Sequence, residues 1–170
     1  CRPSAAPGGV ISIFGTNLAP VVAVAGQVAL PATLAGVSAT IQGVQAPLYY
    51  VSPGQLNIQV PYETPAGSNI ELVVNNNGQI TTSLLAVQPA APGLFTDAAG
   101  MLVPTNRAGR GQYVEMFVTG LGAMSPPVAT GAAPEGEVRR VSRAFGRLER
   151  IAASAGVVIS RSPRLSSRTA

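Results

Sequence analysis

Few residues in this sequence have side chains that could do acid–base or nucleophilic chemistry. The chain has no His and one Cys, which excludes His-based proton transfer, Ser-His and Cys-His pairs, and zinc sites built from thiolates or imidazoles. The glycine-rich pieces AGRGQ and TGLGAM lack the Lys-Ser/Thr of a phosphate loop, and no Ser occupies a Gly-x-Ser-x-Gly elbow. No acidic residues take the spacing of a calcium loop; they are Glu63, Glu71, Asp97, Glu115, Glu135, Glu137 and Glu149. We therefore expect no enzymatic activity, no cofactor and no metal site.

One group of aromatic and polar residues is a candidate ligand site. Three tyrosines lie on either side of a short Gln-x-Asn segment, and tyrosine rings with neighbouring amides are suited to stacking on sugars and hydrogen bonding to them. The group comprises Tyr49, Tyr50, Asn57, Gln59 and Tyr62. Aromatic residues around a strand in a small all-β domain are also common as core or corner residues, and that interpretation stays open.

The positive charge is concentrated in the last part of the chain. Residues 1–134 carry three Arg and four acidic residues, whereas residues 135–170 carry eight Arg and three acidic residues. The net charge of +4 therefore arises in the tail, and the bulk of the chain has no basic face for a phosphate backbone. We expect no nucleic-acid partner. Pro and Gly interrupt the apolar stretches before they reach the ~18 residues of a membrane span, so we expect no such span.

The elements that must position these residues are predicted to be strands. In SPGQLNIQVPYETPAG, Leu56, Ile58 and Val60 alternate with polar residues, which is the period-two pattern of a half-buried strand. Pro61 lacks the N–H of a ladder and should end this strand at Val60. Pro, Ala and Gly at 65–67 then predict a turn that directs the chain into the opposite sheet.

Further strand signals fill the first half of the chain. GVISIF at 9–14 predicts an early strand, two short strands flank Gly43, and Asn77-Gly78 supplies the positive φ angles of a type I′ hairpin turn. Glycine and proline are abundant and only 11% of the residues are charged. The prediction is an all-β chain with an immunoglobulin-like β-sandwich over residues 1–88.

A second, incomplete unit is predicted beyond a linker. Residues 89–110 lose the alternation and gain Pro, Gly and small side chains, which is typical of a linker. Residues 111–134 then realign with the start of the chain at a constant offset, Phe14 against Phe117 and Thr16 against Thr119, and predict the start of a second sandwich. This unit is too short to be complete, and its exposed edges predict a chain that dimerises through it or aggregates.

The tail at 135–170 differs from the rest. EVRRVSRAFGRLERIAAS places apolar residues three and four apart, which predicts a basic amphipathic helix, and we find no further strand signal there. An Arg-, Ser- and Ala-rich end is also what an out-of-frame reading of a GC-rich gene would produce. We interpret the tail as an aberrant segment caused by a frameshift; disorder and a genuine basic helix are the alternatives.

The order of motifs resembles a known family. APGGVISIFGTNLAP, the run from LPATLAG through SPGQLNIQVPYETPAG, APGLF, and VEMFVTGLGAMSPP look like the uncharacterised C-terminal domain of large secreted acidobacterial proteins, which is similar to the IPT/TIG immunoglobulin-like modules. The resemblance implies a non-catalytic extracellular β-sandwich repeat at the end of a longer chain. It carries over no ligand or active-site residue.

These observations predict a structural or interaction module of a larger secreted or cell-surface bacterial protein. It would act as a spacer or adhesive end-domain whose partners are other domains of the parent chain, or another protein that adds a strand to an exposed edge. The alternative is a carbohydrate-binding module for extracellular or cell-surface polysaccharide, using the tyrosine group.

Overall fold

The structure is a computed structural model that describes residues 4–27, 29–103, 114–133, 139–140 and 157–160, and every regular element in these ranges is a strand. The first ten strands are β1 (Ser4–Ala5), β2 (Val10–Phe14), β3 (Ala23–Val24), β4 (Thr33–Leu34), β5 (Val37–Ile41), β6 (Val44–Gln45), β7 (Leu48–Val51), β8 (Gln55–Gln59), β9 (Gly67–Asn76) and β10 (Gln79–Val87). The later strands are β11 (Gly93–Leu94), β12 (Val114–Thr119), β13 (Met124–Ser125), β14 (Arg139–Arg140) and β15 (Val157–Ser160). The predicted all-β class is confirmed.

The first ten strands form two sheets. The first sheet has the order β1-β10-β9-β5-β4, with β6 also paired to β5, and the second has the order β2-β8-β7-β3. All neighbours are antiparallel except β1 and β10, which are parallel. The chain passes from the second sheet to the first between β8 and β9, where the Pro-Ala-Gly turn was predicted.

The core lies between the two sheets and is built from alternate residues. The first sheet contributes Val37, Ala39 and Ile41 from β5 and Ile70, Leu72 and Val74 from β9, while the second contributes Leu48, Val51, Leu56 and Ile58. Two facing sheets whose inward side chains pack into one buried cluster form a β-sandwich. The predicted sandwich is therefore confirmed.

The strand that carries the Gln-x-Asn segment behaves largely as its pattern predicts. Leu56, Ile58 and Val60 are fully buried, and the ladder ends before Pro61. Gln59 differs from the prediction: it belongs to the polar, outward side of the strand, yet it is only 6% exposed. The segment around Gly131 covers the Gln59 side chain.

Three hairpins share one kind of two-residue turn. Asn77 and Gly78 have φ angles of 50° and 92°, which confirms the predicted type I′ turn between β9 and β10. Ala35-Gly36 joins β4 to β5 and Gln42-Gly43 joins β5 to β6, and both pairs also have positive φ. In each turn the second residue is glycine, which has no Cβ and therefore adopts positive φ without steric strain.

The later strands lie beyond the sandwich in sequence. β12 pairs with β11 and β15, and β13 pairs with β14. The predicted linker 89–110 thus contains β11, and its residues 104–110 lie outside the described part. The second-unit prediction includes 111–113, which also lie outside it.

Two predictions for the tail are wrong where the tail is described. Arg139 and Arg140 pair with Ser125 and Met124 as a short strand, so these two residues are not helical. Val157–Ser160 pairs with Phe117–Val114, so the tail does contain a strand. β-Branched residues at 157–159 supply the strand propensity, and pairing with a distant segment overrides the local helical spacing. The remainder of the predicted helix, at 137–138 and 141–154, lies outside the described residues.

Candidate interaction surface

A polar contact joins the end of β8 to the segment around Gly131. Gln59 Oε1 accepts a hydrogen bond of 2.7 Å from the Gly131 backbone N–H, and both residues are buried. The Gly131 carbonyl in turn accepts a bond of 2.9 Å from Leu30 N–H. Gly131 has φ +80°, and a Cβ there would lie 3.1 Å from Pro47 Cγ. Only glycine combines this backbone angle with so close an approach to the sandwich.

Thr130 extends the same contact to the Val-Pro-Tyr corner. Its Oγ1 accepts a hydrogen bond of 3.0 Å from Tyr62 N–H and donates one of 2.7 Å to Glu63 Oε2. The hydroxyl therefore uses both of its hydrogen-bonding roles at once. The corner after β8 therefore ends a strand and also binds Thr130, through a backbone N–H and a carboxylate.

A second contact joins the start of β2 to the end of β12. Thr119 Oγ1 accepts a hydrogen bond of 2.7 Å from Val10 N–H. The backbones approach closely beside it, since a Cβ on Gly9 would lie 3.1 Å from Gly120 Cα. Gly120 has φ +70°, and a Cβ on it would collide with the Ala91 carbonyl oxygen. We call these contacts of residues 119–120 and 130–131 with the sandwich the junction.

The predicted ligand group is divided by the fold. Tyr50 and Asn57 are directly opposed on β7 and β8, and both are partly exposed on the outer side of the second sheet. Asn57 Oδ1 accepts hydrogen bonds from Ser12 Oγ at 2.9 Å and from Gln55 Nε2 at 2.8 Å. These bonds hold the Asn57 amide in a fixed orientation on the strand next to Tyr50.

Of the other members, Gln59 and Tyr62 belong to the junction, and Tyr49 lies at an irregularity of the second sheet. The register between β7 and β8 shifts at Tyr49, which is the additional residue of a bulge. Burial raises the pKa of the Tyr49 hydroxyl. Burial also raises the pKa of Tyr62, and the charge that Tyr49 would carry raises it further. The predicted group is therefore divided: hydrogen bonds tie Gln59 and Tyr62 to residues 130–131, and Tyr50 and Asn57 form a separate opposed pair.

The junction residues of the later segment were not identified from the sequence. Gln59 and Gly131 are 72 positions apart, and Val10 and Thr119 are 109 apart. The repeat alignment had singled out Thr119, but for its match to Thr16 and not for any contact. No local pattern distinguishes a threonine or glycine that contacts a distant strand from one in an ordinary turn.

The described part of the chain contains neither a cluster of candidate metal ligands nor a helix that could span a membrane. No three His, Cys, Asp or Glu residues come together there as candidate metal ligands. In the same ranges, no helix is long and apolar enough to cross a membrane.

Comparison with known proteins agrees with this architecture. A family model described as the IPT/TIG domain matches residues 2–88, just over half of the 170-residue chain. No curated protein and no solved structure matches the chain. Domains of this family are immunoglobulin-like β-sandwiches that typically serve as non-enzymatic modules for structure or interaction. On its fold and on this match, the chain belongs to the IPT/TIG domain family.

Proposed function

We propose that this chain is a non-catalytic spacer or adhesive end-domain of a larger secreted or cell-surface bacterial protein. The observation that carries the proposal is the junction, in which the sandwich holds the following segment at two separate places. A spacer has to fix the direction in which the chain leaves it, and hydrogen bonds at two places restrict rotation more than one covalent connection does.

The chemistry of the junction suits a permanent contact within one chain. The Gln59–Gly131 bond is buried, so separating the two segments would leave a backbone N–H and a side-chain carbonyl that must both be rehydrated. Three of the other four bonds are donated by a backbone N–H of the sandwich, from Val10, Tyr62 and Leu30. The partners we propose are therefore other domains of the parent chain, with binding of another protein as a further role.

The proposed location rests on the resemblance of the motif order to secreted proteins. In the secreted acidobacterial proteins that the motif order resembles, such a module stands at the end of a long extracellular chain. We propose the same extracellular or cell-surface location here.

The experiment measures how rigidly the two parts are held. Spin labels are attached to Ser68→Cys in β9 and Ala123→Cys beyond β12, both at exposed positions, in a Cys1→Ser background. Pulsed electron paramagnetic resonance on the full chain, diluted with unlabelled protein, gives the distribution of label distances. We expect one narrow distribution, and a broad one for the unaltered junction would contradict the spacer role.

A matched pair of variants assigns the rigidity to the junction. Gln59→Leu with Thr130→Val removes the two side chains that carry the hydrogen bonds and should broaden the distribution. Gln45→Leu with Thr33→Val makes the same changes at exposed sites of the first sheet and should leave it unchanged. If both pairs leave it equally narrow, the contact at residues 130–131 does not orient the segment.

A second candidate function is binding of extracellular or cell-surface polysaccharide. It is supported by the Tyr50–Asn57 pair, in which a partly exposed tyrosine is opposed across the strands to an asparagine whose amide is held by Ser12 and Gln55. Tyr50→Ala should abolish retention on insoluble polysaccharides with the fold intact by circular dichroism. Ile80→Ala removes an exposed apolar side chain from the other sheet and is the control. Lack of retention of the unaltered chain on a panel of cell-wall and environmental polysaccharides would refute this function.

A further inference from the structure

The strand β10 has an open edge along most of its length. On one side it pairs with β9 throughout, but on the other side β1 pairs only with Ala86 and Val87. Among the residues that the structure describes, no strand pairs with 79–85 on this side. A row of unpaired backbone groups at a sheet edge is a template for another strand.

The hairpin turn determines which backbone groups point outwards. In a two-residue hairpin, the residues that flank the turn form a hydrogen-bonded pair, here Asn76 and Gln79. Bonded and non-bonded positions alternate along an antiparallel pair. The N–H and C=O groups of Ile80, Thr82 and Leu84 therefore point away from β9 and towards the open edge.

The side chains on this edge offer no protection against pairing. The segment QITTSLL has no charged residue and no Pro, and Ile80 and Leu84 are 68% and 55% exposed. Natural sheets protect their edges with charges, prolines, bulges or very short strands. The other edges show such features: β3, β4 and β6 have two residues each, and the first N–H of β2 is bonded to Thr119.

We propose that β10 is a dimerisation edge that pairs antiparallel with β10 of a second copy of this chain, about a two-fold axis at Thr82. The segment is self-complementary about that residue: Ile80 of one copy would lie opposite Leu84 of the other, and Thr82 opposite Thr82. These are the residues whose N–H and C=O groups face the edge, so each opposed pair is hydrogen-bonded.

The side chains of Ile80, Thr82 and Leu84 are compatible with this antiparallel pairing of two β10 strands. Ile80, Thr82 and Leu84 pair with Asn75, Val73 and Glu71 of β9, so they lie on the outer face of the first sheet, opposite to the core residues Leu72 and Val74. In the dimer the two apolar side chains would cover each other across the strands. No charge on 79–85 opposes its own copy. A two-fold interface of this kind is closed and does not extend into a fibre.

Sedimentation equilibrium of the full chain tests the proposal at protein concentrations from about 1 µM to 1 mM, because one pair of strands is a small interface. We expect a monomer–dimer equilibrium. Thr82→Lys places like charges opposite each other at the axis and should raise the dissociation constant at least about tenfold. Thr33→Lys makes the same change at an exposed position of β4, on the opposite edge of this sheet, and should leave the constant unchanged.

Three results would overturn the proposal. They are a monomer at every concentration, a dimer that is insensitive to Thr82→Lys, and an equal loss of association in both lysine variants. A dimer through the second unit would give the second of these results. Circular dichroism confirms that each variant retains the fold.

Cysteine crosslinking tests the register independently. In a Cys1→Ser background, Thr82→Cys should form an interchain disulfide under mild oxidation, since opposed residues of an antiparallel pair lie within disulfide range. Ile80→Cys should not, because its own copy would lie four residues along the strand, about 13 Å away. Equal crosslinking at the two positions, or crosslinking at Ile80 alone, would refute the two-fold axis at Thr82.

Discussion

Replacing Gln59 by leucine tests whether the junction stabilises the chain. Leucine is similar to glutamine in length and can occupy the same space beside Gly131, but it cannot accept a hydrogen bond. The substitution therefore removes the 2.7 Å bond to the Gly131 N–H and changes little else in this buried region.

The expected loss follows from the position of the orphaned donor. Gly131 is buried, and its N–H has no access to water in place of the Gln59 carbonyl. A buried donor without a partner costs about 1–3 kcal/mol. Added apolar burial by leucine offsets part of this cost, because Gln59 is only 6% exposed. We expect a net loss of about 1 kcal/mol in the free energy of unfolding. For a chain of this length, such a loss lowers the melting temperature by about 2–4 °C.

Urea unfolding followed by circular dichroism measures the free energy directly, with thermal unfolding as a second readout. Gln45→Leu is the matched control, because Gln45 is exposed on β6, and its effect should stay within about 0.5 kcal/mol. If Gln59→Leu is as stable as this control, the Gln59–Gly131 contact does not contribute to stability, and the reasoning for a permanent junction fails.

Three other perturbations have definite expected outcomes. Gly78→Ala should cost about 1–2 kcal/mol in urea unfolding, because φ is +92° there while a Cβ would meet no atom within 4 Å, so only the backbone angle is penalised. Ile58→Ala should cost about 2–5 kcal/mol because its side chain is fully buried, whereas Ile80→Ala at 68% exposure should cost within about 0.5 kcal/mol; equal losses would contradict the assigned core. The raised pKa values of Tyr49 and Tyr62 favour the folded state below pH 10, and this contribution is lost as the pH rises through their folded values. The free energy of unfolding should therefore fall less steeply above pH 10 in the variant that carries Tyr49→Phe and Tyr62→Phe. An unchanged pH dependence would refute the raised pKa values of these two tyrosines.

The alternating strands were predictable because their signal is local. A residue on a strand faces the core or the solvent according to its parity, so Leu56, Ile58 and Val60 indicated their burial without any knowledge of the partner strands. The Asn77-Gly78 turn was predictable for a similar reason, since two consecutive residues with positive φ require residue types that tolerate it.

The candidate site was only partly predictable. Tyr50 and Asn57 are opposed as a short hairpin between neighbouring strands would suggest, but the bulge at Tyr49 and the burial of Gln59 depend on pairing and packing over longer distances. The tail gives the opposite lesson. Apolar residues in the tail do recur at helical spacing. Arg139 and Arg140 nevertheless pair with β13, because pairing with a distant strand overrides the local helical preference.

The sequence alone determined the all-β class, the alternation that builds the core, the glycine-containing turns and the absence of histidine chemistry, because each depends on residue types at neighbouring positions. Tertiary structure decided which of the outward-facing residues remain exposed to solvent. Gln59 is polar and lies on the outer side of its strand, as Asn57 does, but the Gly131 segment covers one and not the other. It also decided that β10 has an open edge, because an edge is defined by the strands that do not pair with it.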